Sequence, residues 1–380
     1  MTHVDWLLRQ AAPESAALAD VRHLYVHLPF CAHRCGYCDF VTLVGRGGEH
    51  GGYVDALLTE LELERGVLAD RLETVFLGGG TPTFTEPSAL VRLLEALPKA
   101  DELTVEANPE TITPSLAHVL RDAGVTRVSL GAQSFQAELL AVLERRAGPQ
   151  DVRRAYSDLR DASFDNISLD LLYGIPGQST AHLVSDLDAA LALAPEHLSC
   201  YELEAKPRTR FTSAYGAELA RQAEAMEGYF ELVVETVVEA GYRWYETANF
   251  CRPGRQARHN LGYWRGHDYL GLGIGAVSTV GDRRSRNTPK LAAYLTALAA
   301  GRRPPRAVES IDDGVRRRER LMLGLRLDEP LPFADVASAV DEAALARIET
   351  LGLAKRRGGG LTLTPRGRFL GGAVTAEILA

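Results

Sequence analysis

With 380 residues, the chain is long enough for one large α/β domain and a smaller appendage. Its 46% hydrophobic and 24% charged residues suit a globular protein with a sizeable core. The net charge of -8 argues against a general nucleic-acid-binding surface, which needs a basic excess, although Arg316 to Arg318 form a local basic run. No apolar run approaches the roughly 18 residues of a membrane span. Met1 to Asp20 lacks a basic segment followed by an apolar stretch, so a cytoplasmic protein is expected. Of five cysteines, Cys31, Cys35 and Cys38 are clustered, while Cys200 and Cys251 are distant. An odd count with a tight cluster reads as metal chemistry rather than a disulfide framework.

From Leu24 to Glu202, short apolar runs alternate with helical patterns. The predicted strands are Leu24–Leu28, Val75–Leu77, Leu103–Ala107, Arg127–Gly131, Ile167–Leu172 and His197–Leu203. Between them, Val54, Leu57, Leu58 and Leu61 have the spacing of one buried helix face, repeated by Leu90, Leu93, Leu94 and Leu97. Met226, Tyr229, Phe230, Val233 and Val237 predict a later helix. Strand–helix units in series predict parallel strands with right-handed crossovers, as a doubly wound sheet or a barrel. Both architectures place ligands just after the strands.

The first such position reads Cys31-Ala-His-Arg-Cys35-Gly-Tyr-Cys38. Three thiolates on one loop are iron–sulfur ligands in number, and they leave the fourth iron of a cubane open to a small molecule. A zinc knuckle with His33 as fourth ligand is the alternative reading. Gly78-Gly79-Gly80-Thr81-Pro82 follows the second strand, where glycines permit close approach of a ligand or simply make a tight turn. Glu106 ends the third strand, as a ribose or amino-group acceptor or a helix-cap partner. Gln133 ends the fourth, and Arg145 stands a helix length later, able to clamp a carboxylate or to lie on the surface. Asp170 lies inside an apolar strand, where a carboxylate needs a partner. Tyr25 fits either core packing or contact with an adenosine.

The cysteine loop, with Tyr37 before its last cysteine, resembles the radical-SAM signature, in which the amino and carboxylate groups of S-adenosylmethionine chelate the open iron of a 4Fe-4S cluster. The ordered set runs Tyr25-Val-His27, the cysteine loop, Gly-Gly-Gly-Thr-Pro, Glu-Ala-Asn-Pro, Gly-Ala-Gln-Ser-Phe and Asp-Leu-Leu-Tyr-Gly-Ile-Pro. Together these resemble the oxygen-independent coproporphyrinogen III oxidase superfamily over nearly the whole chain. The resemblance implies a partial (β/α)6 barrel with a winged-helix-like C-terminal domain. It also implies S-adenosylmethionine contacts at Tyr25, Gly79, Gly80, Thr81, Glu106, Gln133, Arg145 and Asp170.

Two branches of that superfamily compete. The oxidases carry a further cysteine two residues after the third, where this chain has Phe40, and a longer region ahead of the barrel, where twenty-four residues precede Tyr25. The haem-chaperone branch carries His-Asn-x-x-Tyr-Trp, matched by His259-Asn260-Leu-Gly-Tyr263-Trp264. That branch often has a histidine in the following loop, where Val277 stands here. A haem-binding chaperone is therefore expected, with His259 in contact with haem, although a histidine before an aromatic pair also suits core packing. Its partners would be haem and acceptor haemoproteins, membrane respiratory enzymes among them, at the membrane periphery, with a homodimer as an option and no nucleic acid. The alternative is radical decarboxylation of coproporphyrinogen III.

Gly-Arg-Arg-Pro-Pro at 301–305 predicts a boundary between a 1–305 unit, with its barrel at about 20–205 and a haem-binding extension, and a 306–380 unit. From Arg316 onward the pattern reads as helices and then a hairpin of Leu351–Lys355 and Leu361–Thr364. The acidic balance favours a packing module over DNA binding.

Overall fold

The computed structural model of the protein describes residues 20–204 and 210–380. The segment before Asp20 lies outside the described residues.

Six strands form the frame: β1 (His23–Leu28), β2 (Leu72–Gly79), β3 (Ala100–Ala107), β4 (Arg127–Gln133), β5 (Ile167–Tyr173) and β6 (His197–Glu202). They lie side by side in chain order and all parallel. Three short strands extend the sheet: β7 (Arg243–Trp244), β8 (Asn249–Cys251) and β9 (Leu270–Leu272). The chain returns to place β9 parallel beside β1, while β8 and β7 close the other edge antiparallel to β6. This is the partial (β/α)6 barrel that the sequence led us to expect.

The strands alternate strictly. Leu24, Val26, Val75, Leu77, Val105, Val128, Leu130, Leu169 and Leu198 are fully buried in one continuous core beneath the helices. Tyr25, Phe76, Glu106, Ser129, Asp170, Ser199 and Tyr201 take the intervening positions, on the opposite face. The hydrophobic face thus belongs to the outside of the barrel, and a polar face is left for its interior.

The helix His50–Glu64 buries Tyr53, Val54, Leu57 and Leu61 against β1, with Leu58 at the rim of the core. Each fully buried leucine contributes roughly 1.5–3 kcal/mol. Pro87–Ala96 starts at Glu86, whose carboxylate accepts from the backbone N–H groups of Ser88 and Ala89, and it buries Leu90, Leu93 and Leu94. Pro114–Asp122 is capped in the same way by Thr113.

A second, separate core holds the C-terminal residues, among them Leu321, Leu331, Val336, Leu345, Leu361 and Ile378. The predicted hairpin forms from Ala354–Arg357 and Gly360–Leu363, turning at Gly358 and Gly359, both with positive φ. Leu331–Pro332 adds a third strand. Two helices after the hairpin, Pro365–Phe369 and Gly371–Ile378, were not expected, because three glycines, Gly367, Gly371 and Gly372, interrupt their pattern. Arginines couple this unit to the barrel. Arg243 forks onto Asp328 at 2.7 Å twice, and Arg265 onto Glu329 at 2.8 and 2.9 Å. The Arg368 guanidinium covers the Trp244 ring at 3.6 Å. Among the described residues, no helix is long and apolar enough to cross a membrane.

Candidate functional site

The polar faces of the strands open into a cavity of about 620 Å³, within the usual range for small-molecule sites. Its lining includes Cys31, Cys35, Cys38, Gly79, Gly80, Thr81, Glu106, Gln133, Arg145 and Asp170. Nine of the sequence-selected positions after β1 to β5, plus Arg145 beyond the helix Ala137–Val142, therefore meet in one space.

The cysteine loop leaves β1 through Pro29 and is fixed at both ends. Phe30–Cys31 pairs with Leu43–Val44, and the His27 ring receives support from the Val41 carbonyl at 2.8 Å and the Tyr25 hydroxyl at 3.1 Å. Gly79, at φ 110, lies directly against that imidazole, and a Cβ there would enter the ring. Gly80 faces the Pro29 carbonyl group at a distance that admits no Cβ. The glycine run is thus needed for the turn to reach the loop.

Hydrogen bonds join the loop to the strands. Thr81 Oγ1 lies 3.6 Å from Cys31 Sγ and accepts from Asn108 Nδ2 at 3.0 Å. Arg145 Nη2 donates to Asn108 Oδ1 at 2.9 Å and to the Gly131 carbonyl at 2.8 Å, and its Nη1 lies 3.9 Å from Cys35 Sγ. The Arg145 Nε is buried without a partner among the described residues, a donor suited to a ligand.

Burial pushes the Cys31 thiol up to about 11 and raises that of Cys38. Such groups become thiolates readily only when a metal supplies positive charge. Among the described residues, no three donors gather tightly enough for a single ion. The three sulfurs border a common space. His33, the alternative zinc ligand, points at Glu144 with 3.7 Å between them.

Glu106 accepts from the Gly79 N–H at 3.1 Å, and burial, then the nearby Asp170, raise its pKa to about 7. Asp170 is raised by burial and accepts from Ser129 at 3.0 Å and from Ser168 at 3.2 Å. Gln133 sits at an irregularity of β4 with φ 66, which turns it into the cavity. Tyr25 lies beside Phe76, with ring centroids 6.2 Å apart and stacked, and it is Phe76 that reaches the cavity lining.

Residues that sequence reasoning passed over also line the space: Asn108, Arg127, Ser129, Ser199, Tyr201 and Asn260. Ser129 and Ser199 were legible in principle, since both share the inward face of their strands with Glu106 and Asp170 by register.

His259, expected in contact with haem, lies enclosed by protein. Its ring is 2% exposed, with Nδ1 2.7 Å from Thr74 Oγ1 and Nε2 3.0 Å from the Tyr263 hydroxyl. Phe76 stacks on it at 5.1 Å. Both nitrogens meet protein hydroxyls. The neighbouring Asn260, not His259, faces the cavity.

Residues 25–190 match the radical SAM superfamily domain, and residues 311–370 match the HemN C-terminal domain. A haem chaperone HemW from Mycobacterium tuberculosis is 36% identical over 98% of this chain and all of its own length. The chain belongs to the HemW family. Other HemW proteins agree: that of Bacillus subtilis is 34% identical over 80% of this chain and 83% of its own, and that of Escherichia coli 39% over 68% and 70%. Among solved structures, the coproporphyrinogen III oxidase HemN from Escherichia coli, described as a radical SAM enzyme, superposes with a TM-score of 0.79 at 22% identity. That superposition covers 99% of this chain and 93% of HemN. At that identity HemN speaks for the fold of this HemW-family chain and not for its activity.

Proposed function

We propose that this chain is a haem carrier that holds a 4Fe-4S cluster and S-adenosylmethionine and passes haem to acceptor haemoproteins. Its full-length similarity to proteins named haem chaperone HemW carries the reading. Phe40, at the position of the oxidases' extra cysteine, supports it from the sequence.

Cys31, Cys35 and Cys38 would hold the cluster, whose remaining iron, when bound, supplies the chelation site for the methionine amino and carboxylate groups. Arg145, with its unpaired Nε, is suited to the methionine carboxylate, and Thr81 directs a hydroxyl at the Cys31 sulfur. Glu106, Gln133 and Asp170 offer acceptors to the ribose and amino groups, while Gly79 and Gly80 let backbone approach the ligand and Tyr25 backs the Phe76 wall. Division into a barrel unit with its extension up to about residue 305 and a C-terminal unit beyond it, assembly as a homodimer, and membrane respiratory haemoproteins as acceptors belong to the same proposal.

The test is anaerobic reconstitution followed by parallel haem titration and incubation with coproporphyrinogen III, reductant and S-adenosylmethionine. About one haem per chain with no protoporphyrinogen IX is expected. Formation of protoporphyrinogen IX would make the chain an oxidase and overturn the proposal.

A further inference from the structure

A second cleft, of about 560 Å³, lies outside the barrel where the C-terminal unit meets it. Five arginines and two carboxylates line it, along with the rings of Tyr263, Tyr269 and His267. Most of the charge is already matched: Arg284 forks onto Glu319 at 2.8 and 2.7 Å, Arg265 binds Glu329, and Arg316 reaches Asp268 at 3.7 Å. Among the described residues, two cations lack a close carboxylate, although Asp335 of the same lining acts on Arg320 from further off. Among the described residues, Arg317 donates to the neutral hydroxyl of Ser338, at 3.0 Å, and to no carboxylate. Arg320 has a buried Nη1 with no partner among the described residues. A cleft with aromatic walls and two spare guanidiniums suits a flat, apolar ligand carrying two carboxylates.

The imidazole of His267 is set for a particular task. The helix Arg258–Trp264 ends in Arg265 and then Gly266 at φ 70, with the Gly266 N–H on the Tyr263 carbonyl and the His267 N–H on the Gly262 carbonyl. This glycine-dependent helix stop presents His267 outward beside His23. The two rings stack at 5.2 Å, and His267 Nδ1 lies 3.0 Å from His23 Nε2. His23 Nδ1 meets Thr74 Oγ1 at 2.9 Å, and Thr74 meets His259 Nδ1. A hydroxyl has one proton to donate, so this chain can run in either of two senses, and an iron on His267 would select one of them. When Thr74 donates to His259, His23 donates to Thr74 through Nδ1 and accepts through Nε2. His267 then carries its proton on Nδ1 and keeps a lone pair on Nε2. Burial and the neighbouring His267 lower the pKa of His23 to about 4, so His23 stays neutral and able to accept. A histidine whose inner nitrogen donates to a fixed partner while the outer one is free is the usual arrangement of an iron-ligating imidazole.

We propose that this cleft is the haem site of the chain, with His267 Nε2 on the iron and the two propionates on Arg317 and Arg320. The inference rests on the haem-carrier reading. It places the cargo apart from the cluster cavity, with His259 acting as a positioning residue behind His267 and not as the ligand.

The experiment uses the full, cluster-reconstituted chain titrated with ferric protoporphyrin IX and, separately, with iron-free protoporphyrin IX. Binding is followed by absorbance and by electron paramagnetic resonance of the haem iron. His267→Ala is expected to abolish the nitrogen-ligand signature, with added imidazole restoring it, and to leave iron-free porphyrin binding unchanged. The double variant R317E/R320E is expected to weaken both porphyrins at least about tenfold without changing the ligand signature. Cluster content and thermal midpoint, measured on each variant, separate these effects from misfolding. Absence of haem binding by the unaltered chain would sink the carrier reading itself. Haem binding that is intact in both His267→Ala and R317E/R320E would overturn the cleft while leaving the carrier reading standing.

Discussion

Thr81 Oγ1 lies 3.6 Å from Cys31 Sγ, and because the hydroxyl already accepts from Asn108, its own proton is free to point at the sulfur. The glycine-rich turn therefore does two things at once: it opens backbone to the cavity and stabilises negative charge on the first cysteine. Thr81→Val removes this hydroxyl while preserving shape. It is expected to leave iron and sulfide content intact but to shift the cluster's reduction potential downward, measured by redox titration, since one hydrogen bond to sulfur is lost.

Replacing Cys31, Cys35 or Cys38 with serine should abolish the broad visible absorbance of the reconstituted chain. Replacing Cys200 or Cys251 should not, because both are buried in strands with no place on the cavity wall. A requirement for Cys200 in iron and sulfide analysis would contradict the three-thiolate assignment.

Arg145 and Asn108 form the bridge between cluster loop and strands. Arg145→Ala removes a charged donor aimed into the cavity and is expected to weaken S-adenosylmethionine binding by about 1.5–3 kcal/mol, read by calorimetry on the reconstituted chain. Asn108→Ala should weaken it less, since it acts through Arg145 and Thr81.

The raised pKa of Glu106 makes a pH-dependent statement. A carboxyl with a folded pKa of about 7, above its unfolded value, favours the fold fully only while both states are protonated, so its cost grows as pH rises from the ordinary carboxylate range and is complete once pH passes about 7. Glu106→Gln is expected to have little effect below the ordinary carboxylate range and to raise the thermal midpoint increasingly as pH climbs towards about 7, with each ~1 kcal/mol of stabilisation corresponding to roughly 2–4 °C. S-adenosylmethionine binding by the unaltered chain should fall over the same interval as pH drops, because protonation removes an acceptor. A flat difference between the two proteins across pH would refute this.

His259→Ala removes the partner of the Tyr263 hydroxyl, leaves Thr74 with His23 alone and opens space beneath Phe76. A loss of about 2–4 kcal/mol is expected in denaturant unfolding. Gly79→Ala, by contrast, should perturb the cysteine loop most, because the new methyl displaces the His27 ring and the site holds a positive φ costing about 1–3 kcal/mol. The readout is cluster content after reconstitution.

The sequence by itself determined the six parallel strands, their alternation and the cysteine loop, since apolar periodicity and ligand spacing are local properties of the chain. It also marked Gly79, Gly80, Thr81, Glu106 and Gln133 at strand ends, Asp170 as a carboxylate inside an apolar strand and Arg145 a helix length beyond one, in the order that carries the family resemblance. Tertiary structure alone decided what each polar group meets. Arg145 reaches Cys35 and Asn108 only because the helix after β4 folds back over the cavity mouth. His259 looked available in the chain, yet its helix packs across the barrel, with the His259 N–H on Glu102, and so buries the ring. His23 and His267, 244 residues apart, touch only because β9 returns beside β1, and no local pattern records a contact made by a strand that crosses the whole sheet.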